Sequence, residues 1–399
     1  MKRPALIALA LLVAGVAAFF LLAPGIAERS MNRIAPTPLP TVTAETKALH
    51  DRLTIADLHS DSLLWKRDIS KASEQGHVDI PRLLAGNVAI QVFSSVTKTP
   101  AGQNYDANGA DTDQIKWLAI GQLQPVKTWT SLLERSLWHA TKLERAEARS
   151  NGALRIINDP AELDALLADR ARGRKVVGAI LSVEGLQNIE GRLANLDKLY
   201  AAGFRMAGLA HFFDNEVAGS MHGLKKGGLT PLGRQVVRRM EALGMIVDVA
   251  HSSHRTVAEV LSMARRPVVS SHGGVQATCA VNRNLTDAEI RGIARTGGVI
   301  GVGYWDAAVC STAPKAIVAA IEHVRDIAGI EHVGLGSDFD GSVTTGFDTA
   351  RLAVITQTLK DRGFSDADIA AVMGGNVVRL LRAGMRPLGP PSPRANAPL

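Results

Sequence analysis

Seven side chains able to bind metal or move protons recur at the ends of short apolar runs: His59, Asp61, Glu184, His211, His251, His272 and Asp338. The clearest run is Thr54-Ile55-Ala56-Asp57-Leu58-His59-Ser60-Asp61, which begins as a strand and ends in polar residues. Residues i and i+2 of a strand project from one face, so an imidazole and a carboxylate leave this strand end side by side. Imidazole nitrogen and carboxylate oxygen are ligands that zinc takes. A single strand-end histidine is more often a hydrogen-bonded structural residue. Independent structural histidines, however, have no reason to fall at one equivalent end of run after run. Two metal ions sharing a bridging carboxylate would use five of the seven side chains and leave two for catalysis. The other histidines read differently: His254 as a cap or surface residue, and His50, His77, His139, His222, His323 and His332 as structural. Asp57 and Asp248 also read as structural.

Eight runs must position these groups: 54–61, 87–96, 176–185, 205–211, 244–251, 267–272, 297–305 and 332–340. Helical patterns separate the later runs, at Thr230–Leu243, Ser253–Arg266, Thr286–Arg295 and Pro314–Ala328; Thr286-x-x-Glu289 is a capping box that fixes one helix start. Continuous apolar runs alternating with helices are parallel strands covered on both faces. Eight such units predict a (β/α)8 TIM barrel, with a doubly wound open sheet as the alternative. The barrel is favoured because it brings every strand end to one mouth, whereas an open sheet would string them along an edge. Residues 98–170 form a helical excursion within this body, and the tryptophans in it (Trp117, Trp129) read as core. Amphipathic helices follow near 348–361 and 366–382. The domain reading is 1–27 as membrane anchor or signal peptide, 28–50 as a Pro-containing tether, 51–385 as the barrel and 386–399 as a disordered Pro-rich tail.

Composition narrows the function. The chain has 399 residues, 46% of them hydrophobic, enough for a large core. The formal charge is +7, but the basic pairs Lys225-Lys226, Arg238-Arg239 and Arg265-Arg266 are scattered without aromatic interleaving, so no nucleic-acid partner is expected. Lys2 and Arg3 precede an uncharged apolar stretch, Ala5–Ala23, of 19 residues. That pattern directs a chain to the membrane with its basic end in the cytoplasm, and the length suffices to span a bilayer. An uncleaved anchor is the favoured reading, and cleavage after Gly25-Ile26-Ala27 the alternative. Either places the catalytic body outside the cytoplasm, periplasmic or extracellular, and secreted if the segment is removed. Two cysteines, Cys279 and Cys310, make no disulfide framework, and their pairing is left open.

Several segments together resemble the membrane (renal-type) dipeptidase family, the M19 metallopeptidases among the metal-dependent hydrolase barrels. They are Asp57-Leu58-His59-Ser60-Asp61, Ser182-Val183-Glu184-Gly185, Gly244 to Ser253, Ser271-His272, Asn282-Arg283-Asn284-Leu285 and Gly334 to Gly341, spanning about 55–341. The family usually has Gly and Asn where Leu58 and Ser60 stand; these flank the ligands without replacing them. The resemblance implies that His59, Asp61 and Glu184 hold one zinc ion and that Glu184, His251 and His272 hold a second, Glu184 bridging. It places His211 and Arg283 on the substrate and Asp338 beside the water that attacks. The implied activity is hydrolysis of dipeptides with a free C-terminal carboxylate. Alternatives are hydrolysis of another amide (an N-acyl amino acid or a β-lactam) and a non-catalytic membrane-anchored binding protein; a homodimer is left open.

Overall fold

Each apolar run becomes a strand of one closed parallel sheet. A computed structural model describes residues 2–387, so the predicted disordered tail lies outside the described residues except for 386 and 387. The barrel strands are β1 (Ile55–Ser60), β2 (Val88–Val96), β3 (Val177–Glu184), β4 (Phe204–Gly208), β5 (Ile246–Asp248), β6 (Val268–Ser270), β7 (Val299–Val302) and β8 (Val333–Leu335). Neighbours pair in parallel around the ring, with β2 joined to β1 and β3, and β8 joined to β7 and β1. This is the predicted (β/α)8 barrel. A short strand, Leu154–Ile156, pairs with the first residues of β3 ahead of β4.

Every residue of these strands is buried, which is why the strands read as unbroken apolar runs instead of alternating ones. Leu58, Ile90, Ile180, Met206 and Val269 cluster with Val377, Leu380 and Leu381 of the C-terminal helix Asn376–Gly384. Full burial of each such side chain contributes roughly 1.5–3 kcal/mol. The predicted helix at 366–382 is broken at Gly374, where a β-carbon would lie 2.1 Å from the Thr54 carbonyl. Only glycine lets the chain pass so close to the start of β1.

The N-terminal helix runs Lys2–Met31, about 45 Å at 1.5 Å per residue. Among the described residues it is the one helix long and apolar enough to cross a membrane. Leu6, Leu12, Val16 and Leu22 are exposed along its outer length. Its last turns are docked on the barrel. Pro24 has no N–H to give the Phe20 carbonyl four residues back, and Lys66 Nζ donates to that carbonyl at 3.1 Å. Glu28, buried, pairs with Arg67 at 2.5 Å.

Residues 28–50, expected as a tether, also pack on the barrel. Arg33–Ile34 pairs in parallel with Thr344–Thr345, the Ser342 N–H donates to Asn32 Oδ1 at 2.9 Å, and Ala44–His50 is a helix capped by Thr43. The excursion holds helices Gln114–Gly121, Leu132–Arg149 and Pro160–Ala171. Its tryptophans do not form a core: Trp117 is 62% exposed and Trp129 is partly buried.

Candidate metal centre

The seven strand-end residues and Arg283 meet at the C-terminal mouth of the barrel, all buried. Two backbone devices aim them. Asp57 Oδ1 accepts from the N–H of His59 at 3.0 Å and of Ser337 at 3.1 Å, stitching the end of β1 to the segment after β8. Asp248 Oδ1 accepts from the N–H of Ala250 and of Ser271, both at 2.9 Å, and does the same for β5 and β6. These aspartates turn the chain just before His59 and His251, in agreement with their structural reading. His251 and Asp338 each have φ of 60°, in the left-handed region that is uncommon for non-glycine residues. Strain of that kind persists where the surroundings over-determine it, commonly at functional sites.

Glu184 lies at the centre. Its Oε1 is 2.9 Å from His251 Nε2, 3.2 Å from His272 Nε2 and 3.6 Å from His211 Nε2. Its Oε2 is 3.6 Å from His59 Nε2, which also lies 3.5 Å from Asp61 Oδ1 and 3.9 Å from Asp338 Oδ1. Three overlapping groups have ligand atoms within 4.8 Å of one another: His59 with Glu184 and His272; Glu184 with His211 and His251; and His59 with Asp61 and Asp338. His272 therefore sits between His59 and His251, and His211 sits as near to Glu184 as His59 does.

Burial pushes the His251 and His272 imidazoles well below the usual range, toward the neutral form that ligates metal. Their Nε2 atoms face each other at 2.9 Å, and at most one neutral nitrogen of such a pair carries a proton. Burial alone would raise Glu184, but His211, His59, His251 and His272 hold its carboxyl well below the ordinary value. Burial lifts Asp61 to about 6, with Glu184 adding to the shift. Asp338 is raised well above the carboxylate range, chiefly by burial and further by Asp61 and Glu184. His59 Nδ1 and Nε2 and Asp61 Oδ1 are buried without a hydrogen-bond partner. Converging acceptor atoms left unpaired in this way fit divalent cations, and the all-nitrogen-and-oxygen donor set fits zinc.

Arg283 comes from the loop after β6. Its guanidinium stacks on Trp305 at 4.5 Å and donates to the His272 carbonyl at 3.3 Å, beside His251 Nε2. The disulfide Cys279–Cys310 ties this loop to the segment after β7. Asn284 braces it by donating to the carbonyls of Cys279 and Ala308, both at 2.8 Å. The histidines read as structural keep clear of the centre, with one close neighbour. His222 stacks on Phe212 at 4.6 Å and holds the Tyr105 carbonyl through Nδ1 at 2.8 Å, packing on His251 without joining the ligand groups. His254 begins a helix capped by Ser253 and pairs with Glu289 at 2.7 Å.

A cavity of about 620 Å³ opens from Glu184, His211, His251, Arg283 and Asp338. Sequence reading missed much of its wall: Tyr105 and Trp117 from the excursion, Trp65, and Phe19, Ala23, Ala27 and Met31 of the N-terminal helix. It missed as well the buried Asp340, two residues beyond Asp338, which accepts from Arg67, Ser62 and the His77 N–H. An Asp-Phe-Asp string with a lone arginine after the Asp61 loop was the available signal.

Known proteins share this fold. The family model for membrane dipeptidase (peptidase family M19) matches residues 43–385. Dipeptidase aclJ of Aspergillus oryzae is 29% identical over 352 residues, covering 83% of this chain and 78% of that protein. The probable dipeptidase PvdM from Pseudomonas aeruginosa superposes with a TM-score of 0.72 at 22% identity, over 85% of this chain and 97% of that one. A Rhodobacter sphaeroides metallopeptidase, solved with a phosphinate mimic of the dipeptide L-Ala-D-Ala, gives a TM-score of 0.67 at 22% identity, over 83% and 99%. The family match across nearly the whole barrel establishes that the chain belongs to the membrane dipeptidase family, peptidase family M19, and is a metallodipeptidase.

Proposed function

We propose that the protein is a binuclear zinc dipeptidase that cleaves short peptides ending in a free carboxylate. The observation carrying this reading is the knot in which Nε2 of His251 and His272 and Oε1 of Glu184 converge within 3.2 Å. In this reading His59, Asp61 and Glu184 hold one ion and Glu184, His251 and His272 the other. The ions, when bound, acidify a water and polarise the scissile carbonyl. Asp338 takes the proton of the attacking water and delivers it to the leaving amine. A carboxylate suits that shuttle, since a lysine in its place would repel the metal ions. His211 donates a hydrogen bond to the developing oxyanion. Arg283, its guanidinium plane set by Trp305, clamps the substrate's terminal carboxylate through a planar fork. Such a clamp limits the substrate to short peptides, since a longer chain has no carboxylate at that distance.

Residues 51–385 are the catalytic domain in this reading, and 1–27 an uncleaved anchor that holds it outside the cytoplasm. The Cys279–Cys310 bond fits an oxidising compartment. The test is metal content per chain, measured with hydrolysis of dipeptides, their C-terminal amides and one tripeptide by the full-length protein. Two zinc ions with dipeptide-only cleavage are expected. Two ions without dipeptide cleavage would move the activity to another amide, and fewer than two in an active protein would refute the ligand assignment.

A further inference from the structure

The active-site cavity is walled in part by the helix that carries the membrane-spanning residues. Phe19, Ala23, Ala27 and Met31 face the same space as Glu184 and Arg283. The lining beside the helix includes Leu64, Trp65, Val96, Ile115 and Leu118, so this part of the cavity is apolar. The helix is built into place. Phe19 and Pro24 pack within 4 Å of where a side chain on Gly121 would begin. Lys66 holds the Phe20 carbonyl, and Glu28 is locked to Arg67, which also binds Asp340. A dipeptide of two alanines is far smaller than the ligands that fill cavities of about 300–1,000 Å³. This cavity, at about 620 Å³, therefore has room beyond the reacting groups.

The wall also has a direction. Arg283 stands against His251 and His272. The apolar wall begins at Leu64 and Trp65, on the segment that follows Asp61 in the chain. A substrate whose carboxylate sits on Arg283 and whose carbonyl lies over the ligand row points its amino-terminal residue toward the helix. We propose that the helix end and barrel rim form an apolar subsite for the amino-terminal side chain, so that the preferred substrates are dipeptides whose first residue carries a long apolar chain. Phe19 and Met31, about half exposed at 49% and 48%, and Trp117 at 62%, are the surfaces that such a chain covers. The inference rests on the dipeptidase reading for the orientation of the substrate.

The experiment uses the zinc-loaded full-length protein in lipid nanodiscs with alanyl-, norvalyl-, norleucyl- and 2-aminooctanoyl-alanine. Each methylene buried raises kcat/KM by up to about fourfold, so the added methylenes set a ceiling of about 1,000-fold, and a rise of at least about 100-fold is expected across the series. Ala27→Asp places a carboxylate in the wall and Ala23→Trp fills it. In both, the ratio of longest to shortest substrate is expected to fall at least about tenfold, about 1.4 kcal/mol. A ratio taken within one variant cancels any loss of folded protein. Rates independent of chain length in the intact protein, or an unchanged slope in both variants, would overturn the subsite and leave the dipeptidase reading standing. If no dipeptide is cleaved, the dipeptidase reading fails, and calorimetry with acetyl-glycine and octanoyl-glycine decides the subsite. Tighter binding of octanoyl-glycine that is lost in Ala27→Asp supports it, and equal affinities overturn it.

Discussion

Replacing Arg67 by Met keeps most of the side-chain volume and removes one charge from a buried cluster. Asp340 retains the His77 N–H at 2.5 Å and Ser62 Oγ at 2.6 Å. Glu28, with a side chain only 3% exposed, loses the one ion-pair partner it has among the described residues. Breaking a buried pair in this way costs about 3–5 kcal/mol. The share due to Glu28 has a ceiling, because the carboxyl escapes by taking a proton. At pH 7 that escape costs about 3.4 kcal/mol from an ordinary value of 4.5, at about 1.36 kcal/mol per pH unit. The sign follows from linkage. Burial raises Glu28 in the fold, so between 4.5 and the folded value the native state holds a proton that the unfolded chain has released, and stability falls as pH rises. Arg67→Met should therefore be weakest at pH 7 and above and approach the parent near pH 4.5. Glu28→Gln combined with Arg67→Met should recover the share due to Glu28, since its unpaired charge is gone. Urea unfolding of the full-length protein at pH 5 and 7, run as a double-mutant cycle, measures this. A loss below about 1 kcal/mol at pH 7, or one that neither low pH nor Glu28→Gln relieves, would refute the reasoning.

Four further outcomes are expected. Asp338→Asn should keep the metal content and lower kcat by about 10²–10⁴-fold; full turnover would remove the proton-shuttle role. Glu184→Gln should weaken both metal sites together, as read by metal analysis after dialysis against a chelator series, whereas loss of a single ion would refute the bridge. Arg283→Ala should raise KM mainly for free-carboxylate dipeptides, by the roughly 1.5–3 kcal/mol of a charge-assisted bond; an equal rise for amidated dipeptides would count against the clamp. Burial and the nearby Arg67 lower Lys142 to about 7, so between pH 7 and 10.5 the unfolded chain holds a proton that the fold lacks, and stability rises with pH. Lys142→Met should flatten that rise, which amounts to at most about 1.4 kcal/mol per unit, in denaturation midpoints at pH 7 and 9; the same slope in both proteins would refute it.

The barrel was legible because strands buried on both faces are written as unbroken apolar runs, and because a barrel sends their polar ends to one mouth. His59, Glu184, His211, His251 and His272 could be picked out for that reason, before any distance was known. What stayed hidden depends on contacts between residues far apart in the chain. Arg33–Ile34 forms a strand against Thr344–Thr345, but two residues carry no periodicity, so 28–50 read as a tether. Trp117 looked like core because a large aromatic in an amphipathic pattern ordinarily is, yet it sits exposed on the cavity rim. The N-terminal helix carried so strong a membrane signal that the second use of its last turns, as a wall bearing Phe19 and Ala27, had no separate signature. The ion pair of Glu28 with Arg67 bridges 39 positions and could not be inferred from spacing.

The docking of residues 24–34 bears on how the enzyme is deployed at a membrane. An enzyme on a loose tether swings and samples a hemisphere above its attachment point. Here the helix passes directly into the Glu28–Arg67 pair and then into a strand of the body, with no swivel between them. With the helix as anchor, the mouth is held at one height and one tilt, within a few turns of the lipid boundary. In that arrangement peptides would reach it along the bilayer surface, and the enzyme would patrol by lateral drift in a plane. Reach is traded for a fixed aim.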